Sequence, residues 1–139
     1  MLEYHYKIFA DYFQVIFADL TAIDLIGGDS YEIDLSSPLA TATVYFTINT
    51  LRNMTVDVTV KLLTRPPDIN QPGCDSQTVG SFTCRSGTVA VMSPTSYIGE
   101  LEQFALPQGQ YNIMLRIYDG QTVVSQTQGK EHYEISFWS

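Results

Sequence analysis

Thr55-Val56-Asp57-Val58-Thr59-Val60-Lys61-Leu62 alternates polar and apolar side chains without a break. Successive side chains of a strand point to opposite faces, so Val56, Val58, Val60 and Leu62 turn toward a core and Thr55, Asp57, Thr59 and Lys61 toward water. A helix would spread the four apolar residues around its circumference. The stretch therefore decides for β structure, and the same period recurs on both sides of it. Val44, Phe46 and Ile48 alternate with Tyr45 and Thr47. Tyr111, Ile113, Leu115 and Ile117 alternate with Asn112, Met114 and Arg116, and Tyr133, Ile135 and Phe137 with His132, Glu134 and Ser136. β-branched and aromatic residues dominate these runs, as a half-buried pleated surface favours. Leu2–Phe9, Tyr31–Leu35, Thr88–Met92 and Leu101–Leu106 read as further strands.

The breaks between runs carry turn chemistry. Pro107-Gln108-Gly109 fixes one φ and frees another, and Asp119-Gly120 is a hairpin signal. Gly27-Gly28-Asp29-Ser30 and Pro66-Pro67 end other segments. Short strands at this spacing, with no alternating helices, predict an all-β fold: a single-domain antiparallel β-sandwich over residues 1–139. Asp11–Ile26 places Phe13, Ile16, Phe17, Leu20 and Ile23 at helical spacing but Phe13, Val15 and Phe17 at strand spacing. A strand through about Ala18 followed by a turn or short helix is the favoured reading. Residues 64–86, rich in Pro, Gly, Gln, Asp and Ser, read as one long polar loop, either a binding loop presenting Phe82 and acidic side chains or a plain insertion.

Composition narrows the functional classes. The chain has 139 residues, 45% of them apolar and only 16% charged, against roughly a quarter charged in an average protein. Asp and Glu number 15 against 7 Lys and Arg, a formal charge of −8. That balance argues against nucleic acid as a partner, since phosphates are neutralised by basic patches. No apolar run approaches the roughly 18 residues of a membrane span, so no membrane partner is expected. The first residues lack the features of a signal peptide, which leads to the expectation of a cytoplasmic protein. Cys74 and Cys84 are then expected as free thiols; under oxidation they would close a small disulfide loop.

The chain offers little that resembles catalysis. Its two histidines, His5 and His132, stand in no motif, and nothing in the spacing pairs either with a nucleophile such as Cys84. No enzyme activity, cofactor or metal is expected. The charge is more informative. Through residue 50 the carboxylates Glu3, Asp11, Asp19, Asp24, Asp29, Glu32 and Asp34 face Lys7 alone. Asp24, Asp29, Glu32 and Asp34 bracket the Gly27-Gly28 turn, and with Asp75 and Phe82 they form the candidate partner-binding set. The expected partner is a basic protein. A calcium site is an alternative use of clustered oxygens. A sugar-binding face is another, given nine Tyr, seven Phe and a Trp138 on the polar phase of its strand. A purely structural interaction domain is the third.

Phe104-Ala105-Leu106-Pro107-Gln108-Gly109-Gln110-Tyr111, entering a long apolar strand, resembles a stretch of the competence protein J family, inhibitors of a DNA-entry nuclease. The order around it is also similar: an aromatic N-terminal strand with Tyr12, Phe13, Gln14 and Phe17, then Tyr31–Leu35, Thr43–Ile48, Thr55–Leu63 and a final aromatic strand. Thr64–Ser86 reads as extra to that pattern, and no inhibitory residue maps onto a matched position. The resemblance implies a small acidic protein that blocks a basic nuclease.

Overall fold

The computed structural model describes residues 2–10, 13–25, 37–51, 54–68, 73–94, 101–119 and 131–139. Among these residues ten strands follow one another: β1 (Leu2–Phe9), β2 (Gln14–Asp19), β3 (Leu39–Thr41), β4 (Tyr45–Asn49), β5 (Thr55–Leu62), β6 (Cys74–Cys84), β7 (Thr88–Met92), β8 (Glu102–Ala105), β9 (Gly109–Tyr118) and β10 (His132–Trp138). A 3₁₀ helix, Leu20–Leu25, follows β2 directly. This is the strand-then-short-helix arrangement expected for that segment. The expected Tyr31–Leu35 strand lies outside the described residues.

The strands form two five-stranded sheets, ordered β1-β5-β10-β9-β6 and β3-β4-β2-β7-β8. The fold is an all-β sandwich whose described ladders are antiparallel except one: β10 runs parallel to β5, with Tyr133 opposite Val58 and Phe137 opposite Leu62. A parallel pair needs a long crossover, and the 69 residues between Leu62 and His132 provide it.

The alternation places the core as expected. Val56, Val58 and Val60 of β5 and Tyr133, Ile135 and Phe137 of β10 are all buried, facing Val15 and Phe17 of β2 and Phe46 and Ile48 of β4 in one cluster. Its centre is aromatic: Phe17 stacks on Phe46 at 4.8 Å, and Phe137 meets Phe82 at 5.9 Å and Phe104 at 5.8 Å edge-on. Such offset and edge-to-face pairs add to the burial gain through ring quadrupoles.

Two elements depart from expectation. Residues 64–86 do not form one loop, because Cys74–Cys84 is an edge strand hydrogen-bonded along β9, with Phe82 opposite Tyr111. Gly80 permits this: a Cβ there would lie 2.7 Å from the Thr41 methyl and 3.3 Å from Leu39, so the absence of a side chain lets β3 close over β6. Trp138, expected at the surface from its phase, is buried at 8% exposure.

Candidate protein-docking surface

Of the candidate residues, Asp75 and Phe82 are described in full. Asp75 is exposed on β6. Asp24 belongs to the 3₁₀ helix, its side chain outside the described residues, as are Asp29, Glu32 and Asp34 altogether. Phe82 does not join them. It is 2% exposed and packs edge-on against Phe46 at 5.5 Å, because position 82 falls on the inward phase of a strand. It is a core residue and not an exposed anchor.

The same strand corrects the disulfide expectation. Ten residue steps of β6 separate Cys74 from Cys84, about 33 Å at the usual rise of a strand. A bridge needs Cα atoms within about 7 Å. Both thiols are free. Catalysis by Cys84 with His132 meets a similar obstacle: Cys84 pairs with Gly109 and His132 with Tyr118, at opposite ends of β9. His132 stacks on the Tyr118 ring at 4.6 Å, and His5 lies 3.3 Å from the Thr59 hydroxyl and 3.5 Å from the Glu3 carboxylate.

Sequence reasoning counted Asp19 as surface charge and missed its role. It follows Val15 and Phe17 on the inward phase of β2, the one signal available, and is completely buried. Its Oδ1 accepts from the Arg85 and Ser86 N–H groups, both at 2.9 Å, and from the Ser86 hydroxyl at 2.8 Å. Its Oδ2 accepts from the Thr21 N–H at 3.1 Å and from the Thr21 hydroxyl. Burial alone would raise its pKa, but the donors of Thr21, Ser86 and Arg85 together hold it well below the usual carboxylate range. Asp19 thus ties the start of the 3₁₀ helix to the β6–β7 turn. Cys84 completes the cluster, its Sγ 3.5 Å from Oδ1 and 3.3 Å from the Leu106 carbonyl. Burial, followed by the Asp19 interaction, pushes that thiol up against the pull of the Gly87 and Ser86 N–H groups.

β1 ends the first sheet and β8 ends the second, and their meeting forms a seam. Tyr6 donates to the Gln103 carbonyl at 3.4 Å, and Tyr4 stacks on Phe104 at 5.5 Å. Beside the upper seam is a cleft of 460 Å³ bordered by His5, Tyr6, Lys7, Asp57 and Glu102. Lys7 is neutralised by Asp57 at 2.9 Å, whereas Glu102 meets no cation among the described residues. Burial and then the Glu102 charge push the Tyr6 phenol up to about 12. Below lies an apolar cleft of 490 Å³ lined by Leu2, Leu62, Leu106, Pro107, Tyr111 and Phe137. Tyr111 closes the Pro107-Gln108-Gly109 turn by donating to the Pro107 carbonyl at 2.6 Å.

No protein-family model matches the sequence, and no curated protein matches it. Solved structures do. The crystal structure of ComJ from Bacillus subtilis, inhibitor of the DNA-degrading activity of NucA, superposes with a TM-score of 0.65 at 14% identity, covering 100% of this chain and 96% of its own. The chain is similar in fold to ComJ. It is also similar to the protein of crocagin biosynthetic gene J, with a TM-score of 0.62 at 16% identity over 99% of this chain and 98% of that one.

Proposed function

We propose that this protein is a non-catalytic inhibitor that docks an acidic surface onto a basic protein, a DNA-degrading nuclease being the leading class of target. The full-length likeness to ComJ, a nuclease inhibitor, is the observation that carries this reading. The formal charge of −8 suits it, because an acidic face steers association with a basic partner. Among the described residues, the carboxylates Glu3, Asp57, Asp68, Asp75, Glu102 and Asp119 are exposed, against Lys7, Arg65 and Arg85 as exposed cations. The sequence adds four further carboxylates, Asp24, Asp29, Glu32 and Asp34. For the sugar-binding alternative, Trp138 and the rings of Phe17, Phe46, Phe82, Phe104 and Phe137 are buried and unavailable for stacking, whereas Phe9 and Phe13 are exposed.

The test is DNA degradation by NucA with increasing amounts of this protein, at low and high salt. Stoichiometric inhibition that weakens with salt is expected. Undiminished degradation together with no binding by calorimetry would refute the reading. Replacing Asp29 and Glu32 by Lys together separates docking from calcium binding. Slower association is expected, whereas a calcium site would show as a calcium-dependent rise in melting temperature that the replacement abolishes.

A further inference from the structure

Resting on the inhibitor reading, we propose that the partner docks along the β1–β8 seam as an extended segment carrying an arginine or lysine and an apolar residue four positions apart. Three features of the seam point to such an occupant. The first is the backbone. Among the described residues β1 pairs with β5 alone, so the alternate N–H and C=O groups on its other side meet no described strand, a template for strand addition. The second is charge. Lys7 is paired with Asp57 and Glu3 lies 3.5 Å from the His5 ring, which leaves Glu102 as the carboxylate of the two edge strands that meets no cation among the described residues. Glu102 and Tyr6 border the same cleft, so a cationic side chain entering there would meet both a carboxylate and an aromatic side chain. The third is apolar surface. Leu2 is 59% exposed at the mouth of the lower cleft, above Leu106, Tyr111 and Phe137.

The spacing follows from the strand itself. Leu2 and Tyr6 are four residues apart on one phase of β1, about 13 Å along a strand. A partner strand lying beside β1 would therefore present residues i and i+4 to the lower and upper clefts together. Charge complementarity selects the basic residue for the upper one. A second copy of this acidic chain would bring like charge to Glu3 and Glu102 and is the disfavoured occupant.

The probe is a seven-residue peptide, Thr-Leu-Thr-Val-Thr-Arg-Thr, in both sequence directions, with Arg→Glu counterparts, added to the full chain and read by amide hydrogen exchange. Protection is expected in β1 with the arginine peptides and not with the glutamate peptides. Glu102→Lys is expected to weaken it by about tenfold, as like charge in an interface does. Asp119→Lys, the same change of charge elsewhere on the surface, should leave it within about threefold, the residue of a screened long-range effect. Protection that is absent, confined to β6, or insensitive to Glu102→Lys would overturn the seam. Melting curves of both variants establish that they are folded. NucA inhibition is scored separately: inhibition without seam protection rejects the seam and leaves the inhibitor reading standing, while seam protection without inhibition does the reverse.

Discussion

Replacing Asp19 by Ala should be among the most damaging single changes in the molecule. The side chain is fully buried and satisfies three backbone N–H groups, those of Thr21, Arg85 and Ser86. Orphaning a buried donor costs about 1–3 kcal/mol, and the lower figure applies here because Thr21 and Arg85 lie next to solvent, giving about 3 kcal/mol in all. For a chain of 139 residues the unfolding entropy scale converts that into a melting point about 10 °C lower. Charge provides a second readout. Because the folded pKa is depressed, the carboxylate's contribution is complete above the unfolded value near 4 and is lost as pH falls toward the folded one. Wild type should therefore lose about 1 kcal/mol more than Asp19→Ala between pH 7 and pH 3, narrowing the gap. Urea denaturation of both proteins at the two pH values measures this. A loss below about 1 kcal/mol at pH 7, or a gap that does not narrow, would refute the assignment of Asp19 as a charged tie between two turns.

Gly80→Ala should destabilise by about 1–3 kcal/mol through overpacking, and adding Thr41→Ser, which removes the methyl 2.7 Å from the new Cβ, should restore most of it; chemical denaturation of the single and double variants decides. Thiol reagents should modify half-buried Cys74 in the native protein and Cys84 only on unfolding, with no intramolecular disulfide found by mass spectrometry after mild oxidation. The Tyr6 phenol is raised to about 12, so its share of stability is complete below pH 10 and is lost as pH climbs through about 12. Tyr6→Phe should flatten that alkaline loss in melting curves taken from pH 9 upward.

The strand with a strict apolar period was legible to the residue: β5 has the boundaries that alternation implies, and the shorter readings at Leu2–Phe9 and Thr88–Met92 match β1 and β7. β6 was not. Its inward positions are Ser76, Thr78, Gly80, Phe82 and Cys84, so only the last two advertise a core, and the strand exists because β9 offers a long ladder and β3 needs a side-chain-free neighbour. Local composition cannot carry that information, which belongs to the partner strand. β3 escaped notice for a different reason, since three residues are too few to show a period. Asp19 was hidden because charge is ordinarily read as surface, and only its phase behind Val15 and Phe17 said otherwise. Glu102 was unremarkable in sequence; the seam beside it arises from two strand ends about a hundred residues apart meeting across sheets, which no periodicity encodes.

The position of β10 between β5 and β9 has a consequence for biosynthesis. Those two strands have no ladder with each other, so the first sheet exists only as a β1–β5 ribbon and a β6–β9 ribbon until the segment carrying His132–Trp138 has left the ribosome. Translation at about 5–20 residues per second leaves the β1–β5 ribbon with an unsatisfied inner edge for about 4–15 seconds and the β6–β9 ribbon for about 1–4 seconds. Pairing so distant along the chain is also intrinsically slow to form, because loop-closure entropy must be overcome before any contact repays it. A nascent chain stalled before the last strand would therefore be a poor folder with two adhesive edges, and its maturation should depend more on chaperone occupancy than on the stability of the finished sandwich.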